Sequence, residues 1–185
     1  RDGIEQTLDR VRGMFAFALW DARRKRLLLA RDRFGIKPLY LARTPRGLVF
    51  ASEVKAFIAA GAITPEVDRE ALPSFLEFRY VAGASTLFRG VQRLEPGHLL
   101  VLEDGRERME CYWKLGFGGP PPGTGSVEDC ASAVRDGLAD AIRVRLMSDV
   151  PLGAFLSAGL DSSFLVGLMS RQMDQPVKTF TAGLA

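Results

Sequence analysis

The stretch Val150–Ser163, V-P-L-G-A-F-L-S-A-G-L-D-S-S, decides how this chain is read. A short apolar run, Leu152 to Leu156, ends in small residues, and an apolar-periodic segment, Phe164 to Met173, follows. That order predicts a strand, a tight loop and a helix. The loop carries Ser157, Gly159, Asp161, Ser162 and Ser163. The first backbone N–H groups of a helix have no intrahelical partner and lie at the positive end of its dipole, so such a loop suits an anion. The hydroxyls of Ser157, Ser162 and Ser163 can add donors. The same residues also make an ordinary strand-to-helix turn, in which Asp161 or Ser162 serves only as an N-cap. No G-x-x-x-x-G-K-[ST] and no G-x-G-x-x-G occurs, which excludes a lysine-bearing phosphate loop and a dinucleotide fingerprint.

Upstream of this stretch, Ser126 should cap a helix, with Asp129 three residues on in capping-box spacing. Val127, Ala131, Val134, Leu138, Ile142 and Leu146 recur at three- and four-residue steps and predict one apolar stripe. Helix, strand, loop, helix and a further strand are the opening of a parallel α/β sheet, with the loop at the strand's carboxyl end, where such sheets bind ligands. Before that helix, residues 116–125, G-F-G-G-P-P-P-G-T-G, read as a linker by composition.

The residues before the linker have a β-rich pattern. After a weakly helical Asp2–Val11, Met14–Trp20 and Leu27–Ala30 read as strands around the turn Asp21-Ala22-Arg23-Arg24. Leu39–Ala42 and Leu48–Ala51 flank a hairpin signal at Pro45-Arg46-Gly47, and helices are predicted over Val54–Ala60 and Arg69–Phe78, with Pro73 in the first turn of the latter. His98–Leu102 turns at Asp104-Gly105 and returns through Arg108–Trp113. Arg31 and Asp32 are expected to pair and pin a strand edge, and Ser52 and Glu53 to cap a helix.

A hydrophobic fraction of 47% and a charged fraction of 25% over 185 residues are those of a globular protein of one domain or pieces of two. The net charge of +3 is small, and the run Arg23, Arg24, Lys25, Arg26 falls on a hairpin tip, so no nucleic-acid partner is expected. No apolar stretch is long enough to span a membrane. Cys111 and Cys130 fit no metal or redox spacing and are expected to be free, buried or half-buried thiols of a reducing, cytoplasmic compartment. His98, the one histidine, is expected in a turn; its isolation rules out a histidine metal cluster and a local Ser–His triad.

Ser157–Ser163, S-A-G-L-D-S-S, resembles the S-G-G-x-D-S pyrophosphate-binding loop of the N-type ATP pyrophosphatases, which cut ATP between its α and β phosphates. Its flanks, L-M-S-D-V-P-L-G-A-F-L-S at 146–157 and F-T-A-G-L at 180–184, resemble the synthetase domain of the glutamine-dependent asparagine synthetases. The phrases G-M-F-A-F-A-L-W-D (13–21), A-R-D-R-F-G-I-K-P-L-Y (30–40) and V-F-A-S-E-V-K-A (49–56) resemble the later strands of the glutaminase domain of the same family.

The resemblance implies an α+β region followed by an α/β one. Residues 1–115 would be the later part of an N-terminal-nucleophile glutaminase β-sandwich, 116–125 the linker, and 126–185 the start of an adenine-nucleotide α-hydrolase-like parallel sheet. It further implies amidation of aspartate to asparagine through an acyl-adenylate, with glutamine as nitrogen source, ATP and magnesium as cofactors, and a homodimer as assembly. Ser157, Ala158, Gly159, Leu160, Asp161, Ser162 and Ser163 would cradle the pyrophosphate, Asp161 would be a magnesium ligand, and Leu156 and Ala182 would line the adenosine pocket. In the family a cysteine at the N-terminus attacks glutamine. Arg1 is not that residue, and neither cysteine has a matching context, so the nucleophile is expected upstream and no hydrolysis of glutamine by these residues alone.

Ala158 stands where the family has a second glycine, and since alanine resists positive φ the cradle is expected to be tight or misshapen there. A sibling amidotransferase with another carboxylate acceptor, a transfer-RNA-modifying ATP pyrophosphatase and an inactive scaffold stay open as alternatives.

Overall fold

A computed structural model describes residues 3–116 and 125–183. The chain divides into two compact units, residues 1–116 and 117–185. Of the expected linker, residues 117–124 lie outside the described residues.

The first unit is a mixture of helices and antiparallel sheet. In chain order it holds α1 (Ile4–Arg10), β1 (Ala16–Asp21), β2 (Arg26–Arg31), β3 (Tyr40–Thr44), β4 (Gly47–Ala51), α2 (Val54–Ala59), α3 (Leu72–Phe78), β5 (Val91–Arg93), β6 (His98–Glu103) and β7 (Arg106–Cys111). One sheet has the order β1-β2-β6-β7 and the other β4-β3-β5. Strand side chains alternate between faces, and this alternation sorts the core into layers. Leu28 and Ala30 of β2, with Leu99 and Val101 of β6, pack against Leu8 of α1. Leu29 and Leu100, one residue out of phase, pack on the opposite face against Leu39, Leu41 and Leu94. Ala42 and Val91, on the far side of the smaller sheet, pack on Phe57 of α2. The layers therefore run α1, four-stranded sheet, three-stranded sheet, α2. Because β2 and β6 are buried on both faces, their sequences L-L-L-A and L-L-V-L are continuously apolar. Each fully buried leucine contributes about 2–3 kcal/mol.

The turns follow local chemistry. Asp21 Oδ1 accepts the amides of Arg23 (3.0 Å) and Arg24 (3.1 Å), so the basic run becomes an exposed hairpin tip. Asp104 and Gly105 both have positive φ, 49° and 73°, as a two-residue β6–β7 hairpin requires. Several expectations need correction. Helix α3 starts at Leu72 rather than Arg69, because Pro73 sits at the helix start and Asp68 holds the preceding turn, accepting the Glu70 and Ala71 amides. The returning strand ends at Cys111, since the amides of Tyr112 and Trp113 both turn to the Gly97 carbonyl. His98 is the first residue of β6, not a turn residue, and its Nδ1 lies 2.8 Å from the Pro96 carbonyl. Both cysteines are free but exposed, not buried. Glu53 is the N-cap of α2 without a side-chain capping bond; its carboxylate pairs with Lys55 at 2.6 Å instead.

The second unit contains α4 (Val127–Arg143), β8 (Gly153–Phe155), α5 (Leu160–Ser170) and β9 (Lys178–Phe180), with β8 and β9 paired in parallel. The capping box forms in full: Ser126 Oγ accepts the Asp129 amide (3.1 Å), and Asp129 Oδ2 accepts the Ser126 amide (2.9 Å). The expected stripe on α4 is only partly covered. Ile142 is buried, whereas Val127 and Val134 are 81% and 61% exposed, and Leu146 lies beyond the helix end. Gln172 Nε2 donates to the Ala139 carbonyl at 3.0 Å and ties the end of α5 to α4.

Candidate functional site

The candidate site is the turn from β8 into α5. Gly153 pairs with Lys178 and Phe155 with Phe180. Beyond the strand ends, the Leu156 amide donates to the Phe180 carbonyl (2.9 Å), and the Thr181 hydroxyl donates to the Leu156 carbonyl (2.6 Å). Leu156 and Ala182 thus stand just past the carboxyl ends of two hydrogen-bonded strands. Thr181, whose hydroxyl tethers them, was not singled out from the sequence; the only signal was its place inside F-T-A-G-L.

Helix α5 starts four residues earlier than Phe164, with Gly159 as its N-cap. Neither Asp161 nor Ser162 is the cap, which corrects their assignment as N-cap; both, with Ser163, belong to the first helical turn. The early start follows from Gly159, which takes extended φ and ψ of −76° and 159° and makes no side-chain cap bond. Among the described residues the amides of Ala158, Gly159, Leu160 and Asp161 have no protein acceptor. Ala158 sits at φ +59°, in the left-handed region. The Ser162 hydroxyl accepts the Ser157 amide at 3.3 Å, lies 3.2 Å from Ser157 Oγ and donates to the Gly159 carbonyl at 3.1 Å.

Ser157, Ala158, Gly159, Leu160, Asp161 and Ser163 are exposed, and Leu156 and Ser162 are half-buried. The structure brings Ser157, Gly159 and Ser162 together by hydrogen bonds, while Ser163 lines a groove with Arg135, Phe164 and Arg171. Unpaired amides at a helix start, flanked by hydroxyls, can hold an oxyanion. Asp161 is the one carboxylate in the first turn of α5, and the described residues include no group of three or more His, Cys, Asp or Glu that could hold a metal ion. A magnesium ion held by one carboxylate and the phosphates of a ligand fits this donor set; an all-protein metal cage does not.

In the first unit, the charges of R-D-R-F-G-I-K-P are consumed by the backbone. Asp32, 1% exposed, accepts amides from Phe15 (3.3 Å), Phe34 (3.2 Å), Ile36 (3.0 Å) and Lys37 (3.0 Å). Arg31 donates to the carbonyls of Gly35 (2.6 Å), Leu94 (2.7 Å) and Lys37 (2.8 Å). Arg33 donates to those of Val11 (2.5 Å), Leu8 (3.1 Å) and Asp9 (3.1 Å) and so closes the end of α1. The expected Arg31–Asp32 ion pair gives way to these separate backbone networks, because successive side chains at a strand end point to opposite faces, although the Asp32 charge still acts on Arg31. Burial holds Arg31 below its ordinary pKa, with the Asp32 charge opposing. Burial also pushes the Tyr112 phenol up, and its hydroxyl donates to the Arg31 carbonyl at 2.6 Å.

Comparison with known proteins matches the order of the two units. The Glutamine amidotransferase domain family matches residues 1–113, and the Asparagine synthase family matches residues 133–185. The chain belongs to the glutamine-hydrolysing asparagine synthetase family. It is 38% identical over 180 residues to asparagine synthetase [glutamine-hydrolyzing] 1 of Bacillus subtilis, covering 97% of this chain and 28% of that protein. Amidase chry2 of Gibberella zeae is 36% identical over 173 residues, 92% of this chain and 25% of that one. The chain therefore spans only about a quarter of the length of these relatives. A glutamine phosphoribosylpyrophosphate amidotransferase from B. subtilis, solved with ADP and GMP, superposes with a TM-score of 0.41 at 17% identity over 96% of this chain and 34% of that one, too loosely to add to the assignment.

Proposed function

We propose that the protein takes part in glutamine-dependent amidation of aspartate to asparagine, with ATP cleaved to AMP and pyrophosphate. The observation that supports this most is the β8–α5 turn, with unpaired amides from Ala158 to Asp161 at a helix start directly after a parallel strand.

In this reading an aspartate side-chain oxygen attacks the α-phosphorus of ATP, the bond from that phosphorus to the α–β bridging oxygen breaks, and pyrophosphate departs. Negative charge grows on the β phosphate as it leaves. The loop amides, with the Ser157 hydroxyl, stabilise that charge from fixed positions, so little reorganisation is needed at the transition state, while the Ser162 hydroxyl donates to the Gly159 carbonyl. Asp161 would hold magnesium, directly or through water, and the ion would spread the charge of the departing group. Leu156 and Ala182 would flank the adenosine at the strand ends. Ammonia then attacks the acyl carbon, loses a proton, and displaces AMP. That ammonia would come from glutamine hydrolysed by a cysteine nucleophile of the glutaminase domain.

A second reading keeps the chemistry and changes the acceptor. It rests on the likeness to Amidase chry2, and to Amidase chyE of Penicillium rubens at 37% identity over 173 residues, relatives whose names do not specify asparagine. The two readings separate in one assay: full-length protein with magnesium, ATP and glutamine, followed for AMP and pyrophosphate with and without aspartate. Release that depends on aspartate and falls in Asp161→Ala supports the first. Release that ignores aspartate but needs another carboxylate supports the second, and release untouched by Asp161→Ala removes Asp161 from the site.

A further inference from the structure

We propose that Ser162 is a positioning residue that clamps Ala158 in its left-handed turn, so that the loop is set for an anion before one arrives. This rests on the reading of the loop as a pyrophosphate cradle. Ala158 has φ +59°. An L side chain disfavours that region roughly tenfold relative to the right-handed one, a penalty that glycine escapes. Something must therefore hold Ala158 there, and the Ser162 hydroxyl reaches both sides of it. It accepts the amide of Ser157 at 3.3 Å and donates to the carbonyl of Gly159 at 3.1 Å.

A serine in a first helical turn often back-bonds to the carbonyl three residues earlier. Accepting an amide five residues back is a different contact, and it closes a ring around residue 158. No other acceptor among the described residues takes the Ser157 amide. The directions of the Ala158 and Gly159 amides, both without a protein partner, follow from the φ that the ring enforces. A chain with alanine at this position thus depends on Ser162 for loop geometry, whereas one with glycine does not.

The test is a double-mutant cycle on the full chain, titrated with magnesium pyrophosphate. Ser162→Ala should weaken binding roughly tenfold while Ala158 is present, and no more than about threefold in the Ala158→Gly background. Ser162→Thr, which keeps the hydroxyl, should restore most of the loss. Equal losses in the two backgrounds would overturn the clamp, since the hydroxyl would then act only on the ligand. If the unaltered chain fails to bind pyrophosphate, the cradle reading falls, and the clamp is decided without ligand. A strong amide-to-Hα nuclear Overhauser effect within Ala158, the mark of positive φ, should be present in the unaltered chain and lost in Ser162→Ala. Its persistence in Ser162→Ala overturns the proposal.

Discussion

The buried carboxylate of Asp32 accepts the backbone amide of Lys37, five residues downstream, at 3.0 Å. Through this bond and the amides of Phe34 and Ile36 one side chain shapes the connection from β2 to β3, and through the Phe15 amide it ties that connection to the residue before β1. Asp32→Asn keeps the volume but replaces two acceptor lone pairs by donors facing N–H groups. The expected loss of stability is about 2–4 kcal/mol, read as a lower urea midpoint. A change below about 0.5 kcal/mol would show that the loop holds itself.

Gly97 and Gly105 separate backbone conformation from collision. Both have positive φ, 67° and 73°, but a Cβ on Gly97 would lie 2.3 Å from the Trp113 carbonyl oxygen, while one on Gly105 meets nothing within 4 Å. Gly105→Ala should cost about 1 kcal/mol. Gly97→Ala should cost more than about 3 kcal/mol, because both contacting groups are backbone and cannot rotate away. Thermal melts of the two variants compare them, and equal shifts would mean that the β5–β6 and β7 ends move apart freely.

Leu100 projects into the space between the two sheets, with Leu29 and Leu41, and is fully buried. Leu100→Ala should lose about 2–5 kcal/mol. The same substitution at Leu76, 76% exposed, should cost less than about 0.5 kcal/mol. Urea unfolding of the pair would contradict the layered core if the two losses matched.

The side-chain hydrogen bond from Ser126, and then its backbone amide, hold Asp129 below its ordinary carboxylate pKa. A group whose pKa is lower in the folded state stabilises it above the unfolded-state pKa, and that contribution is lost as pH falls through the folded value. The start of α4 should therefore loosen only in the acid range, with no change between pH 6 and 8, on the order of neutral pH where the carboxylate is ionised in both states. Ser126→Ala should raise the Asp129 pKa, seen by NMR titration of its carboxyl carbon, and cost about 1 kcal/mol of helix stability. An unmoved titration would remove Ser126 as the cause.

Strand and turn positions were legible in the sequence wherever local chemistry determines them: Asp21 at its turn, Asp104-Gly105 in its hairpin, Ser126 and Asp129 at their capping box. The doubly buried strands were legible as apolar runs, but not the side of the sheet on which each leucine lies, which depends on long-range pairing such as Leu29 with Leu100. The networks of Arg31, Asp32 and Arg33 were hidden for the same reason: two adjacent opposite charges suggest each other, and only the fold brings the Leu94 carbonyl to Arg31. At the candidate site the loop residues could be singled out from spacing and residue type, whereas the strain at Ala158 was expected only from the resemblance, which has glycine there. The start of α5 at Leu160 could not, since Gly159 serves as N-cap with no side chain to announce it.

The account stands most directly on the turn between Leu156 and Phe164 as the holder of a departing diphosphate. Amide chemical shifts of the full chain, followed during titration with magnesium pyrophosphate, address this residue by residue. The account predicts saturable shifts concentrated at Ser157 through Asp161, with Asp129 and the β6–β7 hairpin unmoved. Shifts centred elsewhere, or a turn that stays silent at saturating ligand, would contradict it.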